Sequence, residues 1–126
     1  MSVYSPSRAI AYKEQSILTA TPGQLVVMLY DGCLRFLFQA AHAMRDGQHF
    51  EADKRLTRAE AIIDELLTTL DLEQGGVIAS RLQGIYVFCN RHLIEARAQR
   101  DPEMVDKVSE LLGELRESWV QVAATA

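Results

Sequence analysis

Apolar residues recur at intervals of three and four along most of this chain, which is the spacing of one face of an α-helix. The pattern is clearest after Thr21, where Gln24 has the separation of a capping box and Pro22 takes the first helical position. It continues until Asp46-Gly47, a typical helix stop. A first helix is therefore predicted from Pro22 to about Arg45. Its core positions are Val26, Leu29, Cys33, Leu37, Ala40 and Met44.

Three further helices are predicted by the same spacing. The second has charged residues opposite its apolar stripe, and we expect Gln74-Gly75-Gly76 to end it. The third continues until Asp101-Pro102, an N-cap followed by proline, opens the fourth. The predicted core positions are Ala52, Leu56, Ala59, Ile63, Leu66 and Leu70, then Ile78, Leu82, Ile85, Cys89, Leu93 and Ala96, and finally Met104, Val108, Leu111, Leu115, Trp119 and Val122.

Four helices of about twenty residues with short connections pack most simply as an antiparallel up-down-up-down bundle. A chain of 126 residues has the length of one domain. We therefore expect an all-α fold, with the four-helix bundle over residues 22–126 and residues 1–21 as an N-terminal cover segment packed on its outside. That segment holds more apolar side chains than a solvated tail needs: Tyr4, Ile10, Tyr12, Ile17 and Leu18.

The first helix is more apolar than one face of a bundle requires, which is about three positions in seven. Further apolar residues lie on its flanks: Leu25, Val27, Met28, Leu34, Phe36, Phe38 and Ala41. Two explanations stay open. The N-terminal segment folds back and completes a self-contained structural or regulatory domain, or it is a provisional cover that an apolar partner segment displaces.

Charge and composition exclude several classes of partner. The formal net charge is −4, with the two signs intermingled and no run of lysine or arginine, so no nucleic-acid partner is expected. The first residues lack the features of a signal peptide, and no apolar run approaches the length of a membrane span. We expect a cytoplasmic protein without a membrane partner.

No motif indicates catalysis, a metal or a cofactor, so the sequence predicts a protein that is not an enzyme. Cys33 and Cys89 lie on apolar helical patterns and are interpreted as small buried hydrophobes. One alternative is phosphotransfer through His92 on a helix, although Glu95 places a carboxylate where it would repel phosphate.

Three glycines lie inside predicted helices, where each costs about 1 kcal/mol relative to alanine. They are Gly32, Gly84 and Gly113. Close packing of neighbouring helices is the first interpretation, and close approach by a partner is the second.

Three ordered blocks resemble the flagellar secretion chaperones of the FliS family, and together they span almost the whole chain. The first is Tyr12 with Ile17, Thr19-Ala20-Thr21-Pro22, Gln24-Leu25 and Met28-Leu29-Tyr30-Asp31-Gly32. The second is Gly75-Gly76, Ile78-Ala79, Leu82, Ile85-Tyr86 and Leu93-Ile94-Glu95-Ala96. The third is Leu111-Leu112, Leu115-Arg116 and Trp119.

This resemblance implies a chaperone that binds the disordered C-terminal segment of flagellin, prevents its premature polymerisation and assists its delivery to the flagellar type III export apparatus. It also implies that the client wraps the bundle while the N-terminal segment moves aside. The export gate and other flagellar regulators are further candidate partners, and a homodimer could form through the N-terminal segment. The predicted client-binding residues are Tyr12, Ile17, Leu25, Met28, Leu29, Leu34, Phe38, Tyr86 and Leu93.

Overall fold

The computed structural model of the protein describes residues 3–4 and 20–125, with the backbone alone at Thr125. Its helices are α1 (Pro22–Arg45), α2 (His49–Thr68), α3 (Leu72–Gln99) and α4 (Pro102–Thr125). Consecutive helices run antiparallel because only two or three residues connect them. Both α1 and α3 pack against α2 and α4. The predicted all-α four-helix bundle is confirmed.

Local capping signals explain where three helix ends fall. The hydroxyl of Thr21 accepts a hydrogen bond from the Gln24 N–H at 3.2 Å, and the Gln24 side chain accepts one from the Thr21 N–H at 2.9 Å. Gly47 takes the left-handed conformation after α1, with φ of 73°. Asp101 accepts from the N–H of Glu103 at 3.0 Å. The predicted bounds of α1 and the predicted start of α4 are confirmed.

The predicted break at Gln74-Gly75-Gly76 is wrong in its position. The turn after α2 comes earlier, because Asp71 caps α3 by accepting a hydrogen bond from the Gln74 N–H at 3.0 Å. The glycines therefore lie within the first turns of α3. Gly76 has φ of 54° and ψ of −130°, a non-helical conformation that kinks the helix there. That region of backbone space is open essentially to glycine alone.

The core confirms the predicted stripes of α1 and α2, but part of the prediction for α3 and α4 is wrong. On α3, Ala79 and Tyr86 are buried, whereas Ile78 is largely exposed. On α4, Val105 and Leu112 are buried, most of the other predicted core positions are only half-buried, and Val122 is exposed. Apolar residues cover two adjacent faces of these helices, so their spacing alone does not show which face the core uses.

Polar side chains link two of the helix interfaces. Ion pairs or side-chain hydrogen bonds join α1 to α4 and α2 to α3. Among the described residues, none joins a side chain of α3 to one of α4. The links are Arg116 to Asp31, Arg45 to Asp106 at 2.6 Å, Arg97 to Glu60 at 3.0 Å, and Asn90 to Asp64 at 2.7 Å.

The interior glycines do not mark close packing between helices. A Cβ added at Gly84 or Gly113 would meet nothing within 4 Å, so the first interpretation is wrong for both. At Gly32 the nearest side-chain atom would be Cδ1 of Ile62 at 3.5 Å, an ordinary contact. The close approach is instead at Gly23, where a Cβ would lie 3.3 Å from the Cα of Ala123 on α4.

The two glycine environments of α3 predict opposite effects of alanine. Gly76→Ala should lower the free energy of unfolding by about 1 to 3 kcal/mol, because alanine is strained at this backbone conformation. Gly84→Ala should raise it by about 0.5 to 1 kcal/mol, because the site is open and helical. Urea denaturation followed by far-ultraviolet circular dichroism measures both. Equal effects in the two variants would contradict the kink.

Candidate functional site

Tyr4 enters the bundle beside the turn between α2 and α3. The carbonyl oxygen of Val3 accepts a hydrogen bond from the Asp71 N–H at 2.7 Å, and Tyr4 forms an isolated antiparallel bridge with Leu70. The ring of Tyr4 is 5.6 Å from that of Trp119 on α4, and only 3% of the residue is exposed. At this point the N-terminal segment contributes a buried ring to the core, which the sequence did not predict.

Three tyrosine hydroxyl groups meet beneath this insertion. Tyr4 donates to the hydroxyl of Tyr86 at 2.7 Å, and the hydroxyl groups of Tyr30 and Tyr86 are 2.6 Å apart. Burial raises the pKa of all three phenols well above the ordinary value. The cluster is therefore a neutral hydrogen-bond network that joins α1, α3 and the N-terminal segment.

One edge of α3 faces α4. Asn90 and Arg97 on α3 contact Asp64 and Glu60 on α2, so these two residues mark the edge of α3 that faces α2. Ile78, Ile85 and His92 are seven residues apart and lie on the opposite edge, since a helix turns about 100° per residue. Because α4 is the neighbour of α3 on the side away from α2, the helical projection puts these residues on the α4 side.

The matching edge of α4 is apolar. Asp106 and Arg116 mark the edge that faces α1, and Leu111 and Leu115 lie on the other edge, half-buried against the core. From these two edges we infer an apolar surface between the helices, which we call the α3–α4 groove. It is defined by Ile78, Ile85, His92, Leu111 and Leu115, with Tyr4 and Trp119 at its end.

Phe88 extends the groove outwards on α3. Its ring stacks on the imidazole of His92, with centroids 5.2 Å apart, while about half of the residue stays exposed. Ile78 is 61% exposed. Large apolar side chains are thus available to a partner along this face without any movement of the bundle.

The nine predicted site residues fall into four environments. Leu25, Leu29, Tyr86 and Leu93 are buried in the core, so a partner reaches them only after part of the protein moves. Leu34 is half-buried against the core. Met28 and Phe38 are exposed on α1. Tyr12 and Ile17 lie outside the described residues, so their role and the 1–21 boundary stay predictions.

The apolar excess predicted for α1 is only partly buried: of the seven flank residues, Leu25 and Ala41 are buried, Val27, Leu34 and Phe36 are half-buried, and Met28 and Phe38 are exposed. Ten residues of this helix are buried, because it lies between α2 and α4. Five of the ten large exposed apolar residues among the described residues are on α3: Leu72, Val77, Ile78, Phe88 and Ile94. Sequence reasoning missed Tyr4, Ile78 and Phe88 as site residues. The seven-residue repeat of Ile78, Ile85 and His92 was the available signal for a second apolar edge.

The described residues were also compared with the requirements of a reactive thiol, a metal site and a membrane-spanning helix. Cys33 and Cys89 are buried free thiols, and burial raises the pKa of each to about 12, so neither is an activated nucleophile. Within the described ranges, no group of three histidine, cysteine, aspartate or glutamate side chains could hold a metal ion. None of the described helices combines the length and apolarity needed to cross a bilayer.

Comparison with known proteins identifies the family. The family model described as flagellar protein FliS matches residues 5–126. This chain belongs to the FliS family. It is 32% identical to the flagellar secretion chaperone FliS of Bacillus subtilis, over 96% of this chain and 88% of that protein. It is 33% identical to the FliS chaperone of Salmonella typhimurium, over 98% of this chain and 96% of that protein.

A third FliS chaperone, from Vibrio cholerae, is 34% identical over 89% of this chain and 85% of its own length. The resemblance stated from the three sequence blocks is therefore confirmed. Membership in the FliS family supports a chaperone role in flagellar export and a protein that is not an enzyme.

The buried tyrosines and thiols predict a loss of stability at high pH. Their pKa is raised in the folded state, so their contribution is complete below the ordinary pKa and is lost as pH rises through the folded-state values. Unfolding free energy should fall from about pH 9, as unfolded thiols ionise, and faster above about pH 10, by up to about 1.4 kcal/mol per pH unit for each tyrosine. Urea denaturation across this range measures it.

A matched variant isolates one phenol. Above about pH 10, Tyr4→Phe should reduce the slope of unfolding free energy against pH by the contribution of one tyrosine. The decrease in unfolding free energy near pH 9, which the thiols cause, should stay unchanged. Constant stability between these pH values in the unmodified protein would contradict a buried cluster.

Proposed function

We propose that this protein binds the disordered C-terminal segment of flagellin in the cytoplasm, prevents its premature polymerisation and assists its delivery to the flagellar type III export apparatus. The observation that carries the proposal is the insertion of Val3 and Tyr4 at the end of an apolar groove. A segment held there by its own few contacts can be replaced by another polypeptide, and the family assignment supports an export client.

The groove suits an amphipathic client helix. Apolar anchors seven residues apart on α3 present one line of contacts, and half-buried leucines of α4 present another. Flagellin segments that assemble through such an apolar face would be sequestered here instead of meeting each other. The client's remaining length stays unfolded, as export through a narrow channel requires.

The interface between α3 and α4 is also the more adjustable of the two interfaces that each of these helices makes with its neighbours. In the described part of the chain, its two helices are held by apolar contacts, whereas their outer interfaces carry ion pairs. Withdrawal of Tyr4 would uncover the hydroxyl of Tyr86, which supports the prediction that Tyr86 contacts the client. Met28 and Phe38 on α1 would serve a client that wraps further around the bundle.

A matched pair of charge substitutions tests the groove. Ile78→Glu should weaken binding of a purified flagellin C-terminal segment by about tenfold or more, because a carboxylate would be buried without a partner. Phe50→Glu, on the outer face of α2, should leave binding unchanged. Both residues are highly exposed, at 61% and 83%, so neither change should disturb the fold.

Titration calorimetry measures the affinity, and binding by the unmodified protein should show a negative heat-capacity change. Far-ultraviolet circular dichroism checks the fold. Equal affinities of the two variants would show that the client does not bind in the α3–α4 groove. No binding by the unmodified protein would reject flagellin as the client.

The second candidate function is a self-contained helical protein of structural or regulatory type, with no client. The deep burial of Tyr4 favours it, because this residue completes the core as an ordinary core aromatic would. Tyr4→Ala separates the two functions. A self-contained protein should lose about 3 kcal/mol or more of stability and gain no binding.

For a chaperone, Tyr4→Ala removes a competitor and should tighten binding of the flagellin segment, while the helical spectrum stays unchanged. Paired measurements of unfolding free energy and binding affinity distinguish the outcomes. A large loss of stability without any gain in affinity would favour the second function.

A further inference from the structure

The contacts that hold Val3 and Tyr4 do not depend on their being part of the same chain. Residues 5–19 separate this pair from the first described residue before α1. The described contacts include one main-chain hydrogen bond, one antiparallel bridge and one inserted ring with its hydroxyl. A dipeptide of the same chemistry on another polypeptide could make all of them.

We propose that the pocket under Tyr4 is a recognition site for a tyrosine carried in an extended segment of another polypeptide. The walls of this tyrosine pocket are Tyr30, Tyr86 and Trp119. The proposal deepens the proposed function and rests on it only for the identity of that polypeptide. The protein's own Tyr4 then occupies the pocket as a mimic of the partner's anchor residue.

The backbone requirements define an extended segment. The residue before the tyrosine must present its carbonyl oxygen to the Asp71 N–H, as Val3 does at 2.7 Å. It must also pass very close to α3, since a Cβ on Gly75 would lie 3.2 Å from the Cα of Val3. Within the body of a helix this carbonyl already accepts a hydrogen bond from the N–H four residues further on, so an extended segment fits the site better. The bridge to Leu70 sets the antiparallel direction.

The side-chain requirements select tyrosine over other large apolar residues. The ring fills a space against Trp119, and the hydroxyl reaches that of Tyr86 at 2.7 Å. A phenylalanine would fill the space but remove one hydrogen bond to a buried hydroxyl, which weakens binding by a few-fold to about tenfold. An alanine would leave an apolar cavity and lose the anchor altogether.

Trp119 is the sole tryptophan of the chain, so its fluorescence reports occupancy of the pocket. The experiment uses the full-length Tyr4→Ala variant and a synthetic peptide with the sequence of residues 1–8, acetylated and amidated at its ends. We expect a saturable change in emission. The peptide with alanine in place of tyrosine should bind about tenfold more weakly or worse, and the phenylalanine peptide a few-fold more weakly.

Two controls separate recognition from general apolar adhesion. A peptide with D-tyrosine has the same composition, but it cannot both insert its ring and pair its backbone, so it should bind as weakly as the alanine peptide. Adding Tyr86→Phe to the protein removes the hydroxyl that accepts a hydrogen bond from the hydroxyl of the peptide's tyrosine. The preference for the tyrosine peptide over the phenylalanine peptide should then disappear while binding persists.

The unmodified protein should bind the same peptide at least about tenfold more weakly than Tyr4→Ala, because its own tethered segment competes at a high effective concentration. If Tyr4→Ala does not fold, Tyr4→Phe serves instead. Its segment lacks the hydroxyl, so the tyrosine peptide should displace it and the phenylalanine peptide should not. Equal binding of all the peptides, or none to a folded variant, would overturn the proposal.

The outcome is distinguishable from that of the proposed function. If the tyrosine peptide binds with these preferences and the flagellin segment does not bind, the pocket stands and flagellin is rejected as client. If the flagellin segment binds, but its affinity is unchanged when its tyrosines become alanine and the peptide does not compete with it, the pocket proposal fails and the proposed function stands.

Discussion

The closure of the α3–α4 interface by a residue that belongs to neither helix is the constraint on which the rest of the structure depends. Tyr4 places a ring against Trp119 and a hydroxyl against Tyr86, at the point where the core would otherwise open to solvent. Hydroxyl groups buried at this depth need partners, because an unsatisfied buried polar group costs about 1 to 3 kcal/mol. The cluster supplies them without any charge.

The other interfaces are closed in a different way. Small residues let α1 approach its neighbours closely, as at Gly23 beside Ala123, and ion pairs reinforce its contact with α4. Arg97 joins α3 to α2 through Glu60. Such links are directional and apolar contacts are not, so the contacts of α1 with α4 and of α2 with α3 are more constrained than the contact of α3 with α4. A binding protein for a segment without fixed structure benefits from that difference.

The glycine pair at the start of α3 connects local sequence to this site. Gly76 supplies a backbone conformation that other residues resist, and Gly75 leaves room for the main chain of Val3. The kink therefore creates the place where an extended segment can lie beside a helix. Asp71 contributes twice, since its side chain caps α3 and its N–H holds Val3. Fold and site share the same few residues at this end of the bundle.

The sequence by itself determined the four helices, most of their ends and the cores of α1 and α2. These features rest on local physics: the capping box of Thr21, the proline after Asp101, and an apolar stripe with charges opposite. It also carried the family, because three ordered blocks of residues are specific together. None of these inferences needed knowledge of what lies across the core.

Only the tertiary structure decided which apolar residues are core and which are surface. Tyr86 and Ile78 are both apolar positions of α3, yet one is buried and the other exposed, because the neighbours of α3 cover one edge fully and the other edge in part. Periodicity shows that a helix has an apolar face, but the width that its neighbours cover depends on how closely they approach. The burial of Tyr4 has the same origin, since its contacts come from residues distant in the sequence.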